Sequence, residues 1–164
     1  MPWRFNALAD RARALGLGVS VAPSGTPLLT TAAIGRFKDA GVEAISLSVD
    51  GSTAERHDAV RMVPGCFERT RRAAEAARGV GLPFQVNTLV AEETLGDIPT
   101  IYPLVTEWGA ARWSLFFLVS VGRGTVLKQI TPGACEQLLG WLADLVGTPG
   151  PVVTTTEAPH FRRV

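Results

Sequence analysis

Residues 45–58 read ISLSVDGSTAERHD. The first part is a buried strand that ends abruptly at Ser48-Val49-Asp50-Gly51, and the second is a charged segment. A strand tip carrying a hydroxyl and a carboxylate matters because ligands of parallel sheets sit beyond the carboxyl ends of the strands. The fold is therefore decided by whether such strands recur along the chain, and at what spacing.

They recur with helices between them. FNALADRARALG (5–16) has apolar residues at helical spacing and ends at a glycine, after which GVSVA (18–22) is a short β-branched run. A PSGTP turn follows, then TTAAIGRFKDAG (30–41) reads as a helix and VEAISLSV (42–49) as a strand. GCFERTRRAAEAARGVG (65–81) is an alanine-rich amphipathic helix, and PFQVNTLV (83–90) is the next strand. ETLGDIPTIYPLVTEWGA (93–110) is helical, with prolines that mark a first turn or a kink, and ARWSLFFLV (111–119) is the fourth strand. TPGACEQLLGWLADLVG (131–147) is a helix with Thr131 as cap and Pro132 at its first position, and PVVTTT (151–156) is a last strand. Alternation at this spacing implies right-handed βαβ crossovers and a parallel sheet, an α/β fold.

Composition narrows the function. The 164 residues are expected to form one domain, and 46% of them are hydrophobic, with a mean hydropathy of +0.20. That is more apolar material than a surface-rich small domain needs, and it predicts buried strands or faces that expect a covering partner. A net charge of +1, from 16 basic and 15 acidic residues, argues against a nucleic-acid groove that neutralises phosphates. No apolar run reaches the roughly 18 residues of a membrane span, and the N-terminus lacks the apolar core of a signal peptide, so a cytoplasmic protein is expected. Cys66 and Cys135 are far apart and belong to no CxxC or CxxxCxxC cluster, so neither is expected to ligate a metal; buried inert thiols are the default.

The strand tips supply the candidate site: Ser24 in the Pro23-Ser24-Gly25-Thr26 turn, then Ser48 and Asp50, then Gln85 and Asn87, then the stretch from Ser120 to Gly124. Gln85 and Asn87 are two apart and share a strand face, where two amides need hydrogen-bond partners that a polar ligand can supply. Each has a plainer reading. Ser48 and Asp50 can cap the turn, and Gln85 and Asn87 can satisfy neighbouring backbone. Gly122-Arg123-Gly124 can be a solvent-facing turn, since it does not open a helix as a phosphate loop does. The adjacent His57 and Asp58 rarely converge on one substrate and are expected to be structural, and no nucleophile and base can be paired from spacing.

Taken together and in order, VSVAPSGTPLLT, ISLSVDGSTAERHDAVR, GCFERTRRAAEAARGVGLPFQVNTLV and FFLVSVGRG resemble the later part of the core of radical S-adenosylmethionine enzymes, in the SPASM-associated branch that modifies peptides and haem precursors. The resemblance spans about residues 5 to 150. It implies a partial (β/α)6 TIM-like barrel of parallel strands that uses S-adenosylmethionine. Ser24 and Ser48 would lie near the cofactor's ribose or carboxylate, with Asp50 at the same rim. Gln85 and Asn87 would face the barrel, and Leu118 and Val119 would meet the adenine. The family's reaction is reductive cleavage of the cofactor to a 5′-deoxyadenosyl radical that abstracts hydrogen from a peptide or tetrapyrrole.

The sequence also departs from that family. Its CxxxCxxC loop, which holds a [4Fe-4S] cluster, has no counterpart here, and neither does its GGE-like turn; Pro23 stands where the family has threonine. The chain starts inside a helix and stops directly after a strand, so the expectation is a barrel truncated at both ends, inactive alone, with no catalytic or metal-binding residues of its own. The alternative is a non-catalytic module that binds an adenosyl ligand or a subunit, and in either case a partner chain is expected over the exposed barrel edge.

Overall fold

The computed structural model describes residues 2–119, 126–156 and 158; the Gly122-Arg123-Gly124 run, Ser120 and the final HFRRV lie outside them. Five parallel strands form one sheet in the order β1 (Ser20–Val21), β2 (Ala44–Ser48), β3 (Phe84–Val90), β4 (Arg112–Phe117), β5 (Val152–Thr156). The strand order never reverses. Right-handed crossovers that always step the same way put every connecting helix on one side of the sheet, the winding of a barrel wall rather than of a doubly wound sheet.

Ahead of β1 lies α1 (Pro2–Ala14), and between the strands lie α2 (Thr31–Asp39), α3 (Ala54–Arg61), α4 (Cys66–Gly79), α5 (Glu92–Leu95), α6 (Ile98–Trp108) and α7 (Pro132–Asp144). Thr30, Thr53 and Thr131 cap α2, α3 and α7, their hydroxyls accepting the amides of Ala33, Arg56 and Ala134. Three expectations change. The charged segment after Gly51 is itself a helix, α3. The run expected as one helix over 93–110 divides at Gly96-Asp97 into α5 and α6, with Pro99 in the first turn of α6 and Pro103 inside it. The first strand keeps two paired residues, because Ser20 and Val21 alone find partners on β2.

Parity divides the strands cleanly. Ile45, Leu47, Phe84, Val86, Trp113 and Leu115 are buried in the core, where the small side chains of Ala73, Ala74 and Ala77 let α4 approach the sheet closely. The alternate residues lie on the other face in aligned rows: Ser46, Gln85, Arg112 and Val152 in one, Ser48, Asn87, Ser114 and Thr154 in the next. Burial drives the first set under the helices, and the second set, polar except for Val152, is left to the open face.

Gly51 sets how α3 leaves the tip of β2. A Cβ there would stand 2.4 Å from the backbone nitrogen of His57 and 2.7 Å from the carbonyl carbon of Arg56, neither of which is free to swing aside. Gly51→Ala should therefore destabilise the fold by about 1–3 kcal/mol, as overpacking does. Gly35→Ala, with nothing within 4 Å of its Cβ position, should not. Urea midpoints of the two variants check the contrast.

Candidate functional site

At the carboxyl ends of β1 and β2 a cleft of about 270 Å³ is lined by Ser24, Ser48, Arg61, Thr70 and Asn87, with the Cys66 thiol at its wall. Ser48 and Asn87 are register partners on adjacent strands, so the sheet itself delivers a hydroxyl and an amide side by side. The Ser24 turn is held from beneath: its carbonyl accepts the Thr26 amide at 2.7 Å, and Arg69 Nε donates to the Gly25 carbonyl at 2.8 Å. A Cβ on Gly25 would meet Cys66 Sγ at 2.6 Å, so glycine lets the turn close against α4.

Gln85 Nε2 donates to Asn87 Oδ1 at 2.6 Å, so the two amides expected to seek a ligand first find each other. With Oδ1 engaged, what Asn87 offers the cleft is its NH₂ group, suited to an acceptor oxygen. Gln85 stands behind the cleft rather than lining it.

Asp50 is 4% exposed and does not line this cleft. Its Oδ1 accepts the Leu89 amide of β3 at 2.7 Å, its Oδ2 forms an ion pair with Arg61 Nε at 2.9 Å, and its own amide donates to His57 Nδ1 at 3.0 Å. It also borders a separate hollow of about 660 Å³ with Arg56, Glu92 and Glu93. Leu118 lines a third hollow, of about 510 Å³, with Val90, Phe117 and Ile130; its amide donates to the Val90 carbonyl at 3.0 Å, and Val119 beside it is 48% exposed. The candidates thus divide: Ser24, Ser48 and Asn87 converge, Gln85 and Asp50 brace, and Leu118 and Val119 stand apart.

Arg61 is the charged cleft residue that the sequence reading did not single out, although it closes the ISLSVDGSTAERHDAVR stretch. It is the cation of the site, partly exposed and aimed by Asp50. The signal was its place in the last turn of α3, seen only once the segment after Thr53 is taken as a helix. His57 and Asp58, adjacent in sequence, serve different ends: His57 is buried against the tip, while Asp58 accepts the Gly65 and Phe67 amides at the start of α4. The backbone bond to Phe67 leads the effects that hold the Asp58 carboxyl below its usual range.

Whether these residues suit a cluster or a cofactor follows from their chemistry. The chain has two cysteines, Cys66 on α4 and Cys135 on α7, and neither forms a disulfide. Among the described residues no group of three His, Cys, Asp or Glu side chains is placed to hold a metal ion, so the residues present do not fit a [4Fe-4S] cluster. They do fit the polar end of an adenosyl cofactor: a hydroxyl pair, an amide donor and a partly exposed guanidinium around one cleft.

The chain is 38% identical over 149 residues to the AdoMet-dependent heme synthase of Methanosarcina barkeri, which covers 91% of this chain and 42% of the relative. Its fold superposes on Streptococcus suis SuiB bound to S-adenosylmethionine with a TM-score of 0.76 at 14% identity, over 95% of this chain and 36% of that one. A radical SAM methyltransferase from Sphaerobacter thermophilus gives a TM-score of 0.60 at 11% identity, over 87% of this chain and 42% of that one. The chain belongs to the radical S-adenosylmethionine family. No protein-family model matches it. The chain spans about two fifths of the length of the curated relatives it matches. Its α/β fold, a parallel wall of a TIM-like barrel, is that family's fold, and among the described residues no helix is long and apolar enough to cross a membrane.

Burial pushes the His57 imidazole below its ordinary value; the Asp50 carboxylate opposes this, the Arg61 guanidinium adds to it, and Asp58 opposes it again. The unfolded chain, with an ordinary pKa of about 6.5, then binds the proton more readily than the folded one. The stability given by neutral His57 is fully present above that pH and is lost as pH falls below it. Wild type should therefore lose melting temperature as pH falls below about 6.5, and His57→Asn should lose less across the same range. Thermal melts of both proteins at half-unit pH intervals measure the difference.

Proposed function

We propose that the cleft of Ser24, Ser48 and Asn87 holds the ribose and amino-acid end of S-adenosylmethionine, with Leu118 and Val119 meeting the adenine, and that the chain serves reductive cleavage of that cofactor for hydrogen abstraction from a tetrapyrrole. The observation that carries this reading is the convergence of Ser48 and Asn87, register partners, with the Ser24 turn and the Arg61 guanidinium on a single cleft. A ribose needs hydroxyl and amide partners, and an α-carboxylate needs a cation; the cleft offers both. Gln85 acts through Asn87, and Asp50 acts by holding the rim.

A tetrapyrrole is favoured over a peptide because the heme synthase from M. barkeri shares 38% identity across 91% of the chain, whereas the peptide-bound SuiB shares 14% and speaks for the fold alone. Bound S-adenosylmethionine supplies the hydrogen-abstracting chemistry once an electron reaches its sulfonium. The residues of this chain bind and orient the cofactor, while Cys66 and Cys135 cannot supply the thiolates of the cluster that delivers the electron. These 164 residues on their own are therefore an adenosyl-binding wall, and a partner chain or segment supplies the cluster and covers the open edge beside β1. Two cysteines without a disulfide suit a cytoplasmic setting.

Calorimetric titration with S-adenosylhomocysteine tests the reading. Wild type should bind it, and Ser48→Ala should weaken binding about tenfold, the loss of one hydrogen bond to a polar ligand. Absence of binding by a wild-type chain that melts cooperatively would overturn the assignment.

A further inference from the structure

The binding reading leaves one buried polar side chain without a task. His57 is 0% exposed, and its Nδ1 accepts the Asp50 amide, which places the proton of the neutral ring on Nε2. That Nε2–H has no hydrogen-bond partner among the described residues; the Phe67 ring lies edge-on, 5.7 Å away between centroids. A leucine would fill the space without an unpaired Nε2–H, so packing alone does not account for an imidazole here. What leucine could not supply is the acceptor at Nδ1.

That acceptor governs the cleft through two intermediates. By fixing the Asp50 amide it sets the backbone at the tip of β2, from which the Asp50 carboxylate reaches Leu89 on one side and Arg61 on the other. Arg61 then stands 38% exposed at the wall that Ser48 and Asn87 share. Gly51, with no room for a Cβ beside the His57 backbone nitrogen, brings the imidazole back onto the residue that precedes the turn.

We infer that His57 is a positioning residue: its Nδ1 lone pair, through Asp50, aims the Arg61 guanidinium at the carboxylate of an adenosyl amino-acid ligand that His57 itself never touches. The inference rests on the adenosyl reading of the cleft and assigns its specificity for the amino-acid end. A residue acting this way should matter for S-adenosylhomocysteine, which carries that end, and not for 5′-methylthioadenosine, which lacks it.

The test is titration of both ligands into wild type, His57→Asn and His57→Leu. Asparagine places Oδ1 near the position of Nδ1 and keeps an acceptor, whereas leucine removes it. His57→Leu should bind S-adenosylhomocysteine about tenfold more weakly with 5′-methylthioadenosine unchanged, and His57→Asn should restore most of the loss. Equal losses for the two ligands, or none, overturn the inference and return His57 to a structural role. Should His57→Leu fail to fold, His57→Gln, whose amide reaches past the Nδ1 position, is expected to show the same ligand-selective loss. If wild type binds neither ligand, the adenosyl reading itself fails. Amide hydrogen exchange of the ligand-free proteins then decides the positioning role: faster exchange at Leu89 without the acceptor than in His57→Asn upholds it, and equal rates overturn it.

Discussion

The Asp50 carboxylate is the joint on which the site turns. Set at the end of β2, it ties that strand to β3 through the Leu89 amide and to α3 through Arg61, while its own amide is tied to His57. Thr88 adds a second tie from the helix side, donating to the Val49 carbonyl at 2.7 Å and accepting Trp113 Nε1 at 2.8 Å. A buried carboxylate is costly unless each oxygen is engaged, and both are. The tip of β2 is consequently one of the most constrained points of the chain, and Ser48, two residues before Asp50, inherits that rigidity.

A rigid tip is useful because the strand order brings neighbouring tips to it. With the order β1-β2-β3-β4-β5 and no reversal, the turn after β1, the end of β2 and the barrel-facing amides of β3 share one edge. Asp97 secures the loop beyond: it accepts the Ser52 amide and hydroxyl and pairs with Arg56, so the start of α3 is fastened to the start of α6. Burial works against the charge of Asp97, and the Ser52 and Arg56 bonds outweigh it, holding the carboxyl below its usual range. The end of β2, which carries the Ser48 hydroxyl, is thus followed by two carboxylates, Asp50 and Asp97, whose hydrogen bonds go to protein groups.

Much of this architecture was legible in the sequence because it rests on local rules. Period-two and period-3.6 patterns, glycines at helix ends and threonine caps are read residue by residue, and they placed five strands and most helices. What escaped depended on contacts between distant residues. Segment 54–61 has a low apolar content and looked only charged; it is a helix because Thr53 caps it and because His57 is buried against the strand tip, a contact no local pattern announces. In the same way Asp50 read as a tip carboxylate, equally able to face a ligand or to cap a turn. Its bond to Leu89, 39 residues away, is a product of strand register. Arg61 was missed for the same reason, since its role exists only through Asp50.

The composition finds its physical meaning in the two faces of the sheet. The core-facing residues of β2, β3 and β4 form a continuous apolar layer under the helices, while the open face carries Ser46, Ser48, Gln85, Asn87, Arg112, Ser114 and Thr154. Such a face cannot be closed by an apolar partner without stranding hydrogen-bonding groups, and it already satisfies some internally: Gln85 with Asn87, and Ser114 with Thr154 at 2.7 Å. Of the large apolar residues left in solvent, Leu8, Leu15, Leu17, Leu28 and Met62 lie on α1 and the connecting loops, whereas Val152 lies on β5. The hydropathy of the chain thus resides mainly in the helix-side core and on its outer surfaces, while the inner wall is largely polar, interrupted by Leu89, Phe116 and Val152.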